Sequence, residues 1–392
     1  LMFMMERYYP EKTMQEKKQL FYDLLRYWYG LISKLKPEAV IFEEIPHHLH
    51  SHVAYSVLKF LKKKTVIVNS TNIKDRIFLT LDNKFYSPEL NLAIKKNSNK
   101  NFNFEGLPSE IKSNLELKTC LREEPMKSLY HYHERKIKSK YGTSFFVGKL
   151  IIWLKIIFSR RILGIALKYI KNRIYGNAKK EYLDVQKKPD FNSKYIYAPL
   201  HFQPEASTTV LGGIFANQIN FVEILSASLP EEWKIYIKEH PVQFYNNGVS
   251  YSAFRFKGYY ERISKIKGVE IIPLETSTYE LMENAQVTAT ITGTAAWESL
   301  MRLKPALIFG DNWFQECPGL FKIKNVAECK RALDLISSGE FKIGKEDIVR
   351  FLFSFAEVAV RGNFYFFSKK ESNVDEETNI NNLYGCIVKA IV

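Results

Sequence analysis

Thr288-Ala-Thr-Ile-Thr-Gly-Thr-Ala-Ala-Trp-Glu-Ser-Leu-Met-Arg-Leu-Lys-Pro-Ala-Leu-Ile-Phe-Gly310 reads as strand, glycine turn, helix and second strand without interruption. The run Thr288–Ile291 is short and apolar, and Ala306–Phe309 repeats that character after a helical stretch. Strand, helix, strand in sequence means two parallel strands joined by a crossover. Thr292, Gly293 and Thr294 fall where the first strand gives way to the helix. Unpaired amide N–H groups and two hydroxyls are therefore expected above the sheet, where an anion such as a phosphate would bind.

The same alternation extends outward from this unit. Strands are expected at Tyr195–Ala198, Trp233–Ile237 and Val269–Ile272, with helices at 214–228, near 251–266 and at 278–284. This is the pattern of a doubly wound domain, whose ligands sit outside the carboxyl ends of the strands. Three polar loops, Pro199–Glu205, Lys238-Glu-His-Pro241 and Thr292–Thr294, should then converge on one sheet edge. Lys187-Lys-Pro-Asp-Phe-Asn-Ser193 has linker composition and marks a boundary. Before it, helix 14–35, strand Ala39–Phe42, a helix through Leu58 and strand Thr65–Val68 form another strand–helix–strand unit; residues 83–130 read as a polar excursion with small helices. After it, segments near 326–338, 346–360 and 376–391 read as helices. The organisation expected is 1–190, 191–345 and 346–392, the last bracing the other two. A chain of 392 residues divides readily into two domains of ordinary size with a cleft between them.

The net charge of +15 is concentrated rather than spread. From Arg135 to Lys180 there are thirteen Lys and Arg and no Asp or Glu. Within that segment Phe145–Phe158 is strongly apolar, but Lys149 and Lys155 interrupt it before the ~20 residues a membrane-spanning helix needs. Trp153, Ile157 and Phe158 interleaved with the cations suit a helix lying in an anionic membrane surface. Nucleic acid is the poorer partner, because the basic residues alternate with bulky aliphatics and no nucleic-acid module is recognisable. Cys120, Cys317, Cys329 and Cys386 show no C-x-x-C spacing, which fits a reducing compartment and provides no thiolate metal site. The first residues, Leu1-Met-Phe-Met-Met5, have neither the basic start nor the long apolar run of a signal peptide.

Chemistry is expected from residues at the loop edge. Glu205 follows Pro204, and two prolines restrict its loop, so its carboxylate could serve as nucleophile or general base toward an anomeric carbon. His240, fixed in direction by Pro241, could hold a phosphate or leaving group, with Lys238 and Glu239 beside it. Ser277 and Thr278 stand at a strand's carboxyl edge; Ser277-Thr-Tyr-Glu280 also has capping-box spacing, which by itself explains Glu280. Glu298 would return toward the mouth, where its carboxylate suits a ribose hydroxyl, or pair with Arg302. Glu43, Glu44, His47 and His48 line the first domain's side and would bind an acceptor. The histidines at 47, 48, 50 and 52 invite a metal, but no Cys joins them and the two glutamates stand at a strand end instead of closing a coordination set. With no D-x-D sequence in the chain, metal-dependent nucleotide-sugar chemistry of that kind is disfavoured.

The series Pro199-Leu-His-Phe-Gln-Pro-Glu205, Lys238-Glu-His-Pro241, Thr292-Gly-Thr-Ala-Ala-Trp-Glu298 and Lys304–Gly310 resembles bacterial capsule and surface polysaccharide biosynthesis proteins related to the Kdo transferases. The resemblance covers roughly 190–325, and the first domain only through Ile45-Pro46-His47. It implies a GT-B-like α/β fold, two Rossmann-like domains facing a cleft with C-terminal helices. It further implies a metal-independent glycosyltransferase without cofactor, its donor CMP-Kdo or another CMP-activated nonulosonic acid. His240, Thr292, Thr294 and Glu298 would surround the CMP. Glu205 stands where those enzymes carry an Asp thought to act as nucleophile in a retaining reaction; Glu is one methylene longer. Ala296 and Leu303 stand where glycines are common. The acceptor would be a glycan or glycolipid of capsule or lipopolysaccharide, at the cytoplasmic face of the inner membrane. Alternatives are a transferase using a UDP- or GDP-sugar, a nucleotide-sugar epimerase or hydrolase that consumes donor alone, and a non-catalytic glycan-assembly protein.

Overall fold

The computed structural model describes residues 1–120, 176–204, 207–244, 251–363 and 372–392, and its strands form two sheets. In chain order the strands are β1 (Ala39–Phe42), β2 (Lys64–Ser70), β3 (Arg76–Thr80), β4 (Tyr195–Pro199), β5 (Lys234–Lys238), β6 (Val269–Ile271), β7 (Val287–Thr290), β8 (Ala306–Ile308), β9 (Leu320–Lys322) and β10 (Val360–Arg361).

The larger sheet has the order β6-β5-β4-β7-β8-β9, and every pair in it is parallel. Counted along the chain this is 3-2-1-4-5-6, the doubly wound order, which reverses direction between β4 and β7. Both faces of the sheet are covered. Along β4, Ile196 and Ala198 join a core with Phe221, Val222 and Leu225 of helix Gln218–Ala227. The alternate residues Tyr195 and Tyr197 pack on the opposite face with Leu281 and Met282 of helix Thr278–Asn284. A strand buried on both faces reads as apolar throughout rather than alternating, which is why these strands were recognisable as short apolar runs.

The smaller sheet begins as expected, with β1 parallel to β2 across helix Leu49–Phe60. It then departs from a purely parallel plan. β3 turns back antiparallel on β2, and β10, arriving from far along the chain, pairs antiparallel with β3. Within the region read as a polar excursion stand helices Pro88–Asn97 and Ser109–Cys120. Helix Lys345–Val358 packs on the first of these, where Asn97 Nδ2 donates to Ser354 Oγ at 3.2 Å and Glu357 Oε1 at 2.9 Å. Helix Glu376–Ile391 lies on the small sheet, with Asn382 Nδ2 donating to the Arg361 carbonyl.

Helix Met14–Leu35 starts on a full capping box, Thr13 with Glu16, and ends at Lys36 in the left-handed region just before Pro37. None of the described helices is long and apolar enough to cross a membrane. The apolar basic stretch read as membrane-associating lies almost wholly outside the described residues.

Candidate active site at the switch point

β4, β5 and β7 are neighbours, so the loops at their carboxyl ends meet. Pro199 is in register with Lys238, and the Leu200 amide donates to the Lys238 carbonyl at 2.8 Å. Phe202 and His240 face one another with ring centroids 6.1 Å apart. The loops carrying His240 and residues 292–294 thus share one edge, as expected. Glu205 lies outside the described residues, although the loop leading to it is described as far as Pro204.

The turn after β7 differs from the expectation of unpaired amides at 292–294. His201, which the sequence reading did not single out, inserts its ring beneath it. Its Nε2 lies 2.9 Å from Thr290 Oγ1 and accepts from the amides of Ile291 at 3.2 Å and Thr292 at 3.4 Å. Gly293 N–H donates to Thr290 Oγ1 at 3.2 Å. Three amides are therefore turned inward. Those of Thr294 and Ala295, at the start of helix Thr294–Met301, have no hydrogen-bond partner among the described residues. Thr292 Oγ1 is also buried and without a partner among them. Gly293 has an ordinary φ of −78° and is needed for space: a Cβ there would stand 2.6 Å from Thr290 Oγ1 and 3.1 Å from His201 Cε1.

Beneath the loops runs a buried polar network. The guanidinium of Arg255 is fully buried, and all five of its N–H groups are used. Nε and Nη2 donate to the two oxygens of Glu239 at 2.6 and 3.0 Å, Nη1 to Gln203 Oε1 and the Phe254 carbonyl, and Nη2 also to the His201 carbonyl, the last three each at 3.0 Å. Glu239 further accepts from Tyr260 Oη at 2.6 Å and the His240 amide at 2.8 Å. Burial alone would lower the Arg255 pKa, but the Glu239 carboxylate together with Tyr259 and Tyr260 outweighs it, and the guanidinium is raised well above its usual value. Burial, with Glu239 adding to it, also raises Tyr260, which stays a protonated donor. Gln218 clamps the His201 amide at 2.7 Å and carbonyl at 2.9 Å, and Gln243 does the same for Gln203 at 2.8 and 2.9 Å.

Two expected donor ligands are thereby reassigned. Glu239 is a counter-ion inside the fold, because a fully desolvated arginine needs one. Lys238 is buried, and its ammonium donates to the Thr276 carbonyl and to Thr278 Oγ1, tying the end of β5 to the turn between β6 and helix Thr278–Asn284. Ser277 Oγ caps its helix by accepting from the Glu280 amide at 3.3 Å. Glu298 neither faces the mouth nor pairs its side chain with Arg302: its Oε1 accepts from Lys118 Nζ at 2.8 Å, across to helix Ser109–Cys120, while Arg302 donates to the Glu298 carbonyl. His240 Nδ1 accepts from the Val242 amide at 3.2 Å, which leaves the proton of a neutral ring on Nε2 as a donor.

On the other unit, Glu44 does close on the histidines, contrary to the reading that placed it apart. Its Oε1 lies 3.3 Å from His47 Nδ1 and 3.8 Å from His48 Nε2, and the three residues' candidate ligand atoms fall within 4.8 Å of one another. The His47 nitrogen nearest Glu44 also lies 3.0 Å from the Ile45 carbonyl, so it carries a proton and acts as a donor. His48 Nδ1 meets Tyr8 Oη. Burial, followed by the neighbouring His47, holds the His48 pKa below its ordinary value. This is a hydrogen-bonding cluster. Glu43 is exposed beside it.

The doubly wound sheet, its switch-point loops and the second α/β unit define a GT-B-like α/β protein with C-terminal helices. Residues 161–365, just over half of the chain, match the family described as capsule polysaccharide biosynthesis protein, and the chain belongs to that family. No curated protein matches it at a significant level. Solved structures to which it is similar include Thermosulfurimonas dismutans KpsC as beta Kdo 2,7 transferase, 12% identical over 98% of this chain and 95% of that one, TM-score 0.37. The beta Kdo 2,4 transferase of the same KpsC is 13% identical over 85% and 84%, TM-score 0.39. The UDP-GlcNAc 2-epimerase of Methanocaldococcus jannaschii is 14% identical over 88% and 83%, TM-score 0.29. At such similarity none of them speaks to the chemistry of this chain.

Proposed function

We propose that this chain is a glycosyltransferase of capsule or lipopolysaccharide biosynthesis that transfers Kdo or a related nonulosonic acid from a CMP-activated donor to a glycan or glycolipid acceptor. The observation that carries this reading is the convergence of the β4, β5 and β7 loops at the switch point, in a member of a capsule polysaccharide family. Open amides at Thr294 and Ala295 and the Nε2 proton of His240 are suited to the charge that builds on a departing CMP phosphate, without a metal ion or other cofactor. Glu205 attacks the anomeric carbon from the loop after β4, which gives retention through a glycosyl-enzyme. Glu43, Glu44, His47 and His48 supply donors and acceptors for sugar hydroxyls. The basic segment 135–180 holds the enzyme on the anionic inner face of the bacterial inner membrane, next to a lipid-linked acceptor.

Donor turnover with and without an oligosaccharide acceptor, combined with thermal shift by CMP, UDP and GDP, tests the reading. CMP should raise the melting temperature most, since a ligand of the native state adds to apparent stability. Glu205→Gln should lose transfer while keeping the CMP shift; full turnover by that variant removes Glu205 from the mechanism. Acceptor-independent consumption of the donor would make the protein a hydrolase or epimerase.

A further inference from the structure

His201 stands two residues beyond β4, on the opposite side of the switch point from the turn it touches. Backbone amides can only donate, so the two that point at Nε2 require that nitrogen to be an unprotonated acceptor, with the ring proton on Nδ1. Thr290 Oγ1 completes the arrangement by accepting from Gly293 while touching the same nitrogen. The backbone of His201 is itself immobilised by Gln218 on both sides of the residue and by Arg255 on its carbonyl. Arg255 in turn is locked to Glu239 on the β5 loop. The position of the imidazole beneath the β7 turn is therefore set by buried groups from one helix and two loops. A lysine at 255 has three donors on one point and could not reproduce that five-bond fork.

We infer that His201 is a positioning residue for the donor's phosphate, a neutral imidazole wedge that takes up the amides before helix Thr294–Met301 and leaves those of Thr294 and Ala295 open to the anion. This rests on the nucleotide-sugar reading above. The Thr292 hydroxyl at the same turn, buried and without a partner among the described residues, is an independent sign of a polar guest there.

The test is calorimetric binding to the full chain of whichever nucleotide among CMP, UDP and GDP binds, in parallel with its nucleoside, which lacks the phosphate. His201→Phe, which fills the space but accepts nothing, should weaken the nucleotide about tenfold and leave the nucleoside unchanged, as loss of one or two amide contacts to an anion would. Thr290→Val, which leaves His201 in place, should move the nucleotide in the same direction. His201→Gln, whose Oε1 can accept, should keep most of the affinity. Nucleotide binding by His201→Phe within twofold of wild type overturns the inference and leaves the donor reading standing. An equal loss for nucleotide and nucleoside also overturns it, since damage to the fold weakens both. A wild-type chain that binds none of the three nucleotides overturns the donor reading itself, and this inference with it.

Discussion

Arg255 shows how far a single side chain can be committed to the interior. Its partners lie on three separate stretches, at 201–203, 239 and 254, and none of its N–H groups is left for a ligand. Removing one member of a buried ion pair costs more than the pair contributes, because the survivor stays charged without solvent. Glu239→Gln should therefore destabilise the protein by about 3–5 kcal/mol, measured as a lower urea midpoint at unchanged slope. A stability loss under 1 kcal/mol with abolished nucleotide binding would return Glu239 to the role of donor ligand. Glu298 and Lys238 are likewise committed to the fold. Each carries a charge where the chain suggested a ligand, and each is spent on a fold contact with Lys118 or with the turn at Thr276 and Thr278.

Among the elements, the turn from β7 into helix Thr294–Met301 has the least room for change. Its glycine faces the Thr290 hydroxyl and the His201 ring at distances no added carbon could hold. Gly293→Ala should cost about 1–3 kcal/mol through overpacking and reduce nucleotide affinity as well, read by thermal unfolding and calorimetry on one preparation; an unchanged melting temperature would show that the turn yields. At the other end of that helix Leu303 takes φ 58°, the left-handed conformation that glycine usually supplies. The sequence reading noted that a glycine is common there. The backbone kept the conformation without it, and the side chain of Leu303 is left exposed.

For the molecule as a whole, charge and connectivity matter more than any single contact. A net +15, with thirteen cations and no acidic residue between Arg135 and Lys180, concentrates the positive field in one segment. Sedimentation with vesicles of anionic phospholipid should be strong at low salt and fall steeply as ionic strength rises, while neutral vesicles bind little; no sedimentation at low salt would sink the membrane reading. The two units are joined by more than the linker. Gln315 Nε2 donates to the carbonyls of Lys84 and Phe85, Lys118 reaches Glu298, and helix Lys345–Val358 returns to pack on Pro88–Asn97.

Local pattern alone was enough for the strands from Tyr195 to Ile308, the glycine turn at 292–294 and the helices at 14–35, 278–284 and 376–391, whereas of the helix expected near 251–266 only Tyr259–Ser264 formed. These depend on periodicity, caps and breakers that neighbours along the chain supply. β3, β9 and β10 were not legible, because β3 and β9 follow their neighbours without the crossover helix that marks a parallel unit, and β10 is two residues long. The reassigned site residues have a different reason. A carboxylate or ammonium looks alike in sequence whether it meets a substrate or a buried counter-ion, and only packing brought Glu239 to Arg255, Glu298 to Lys118 and His201 under a turn some ninety residues away.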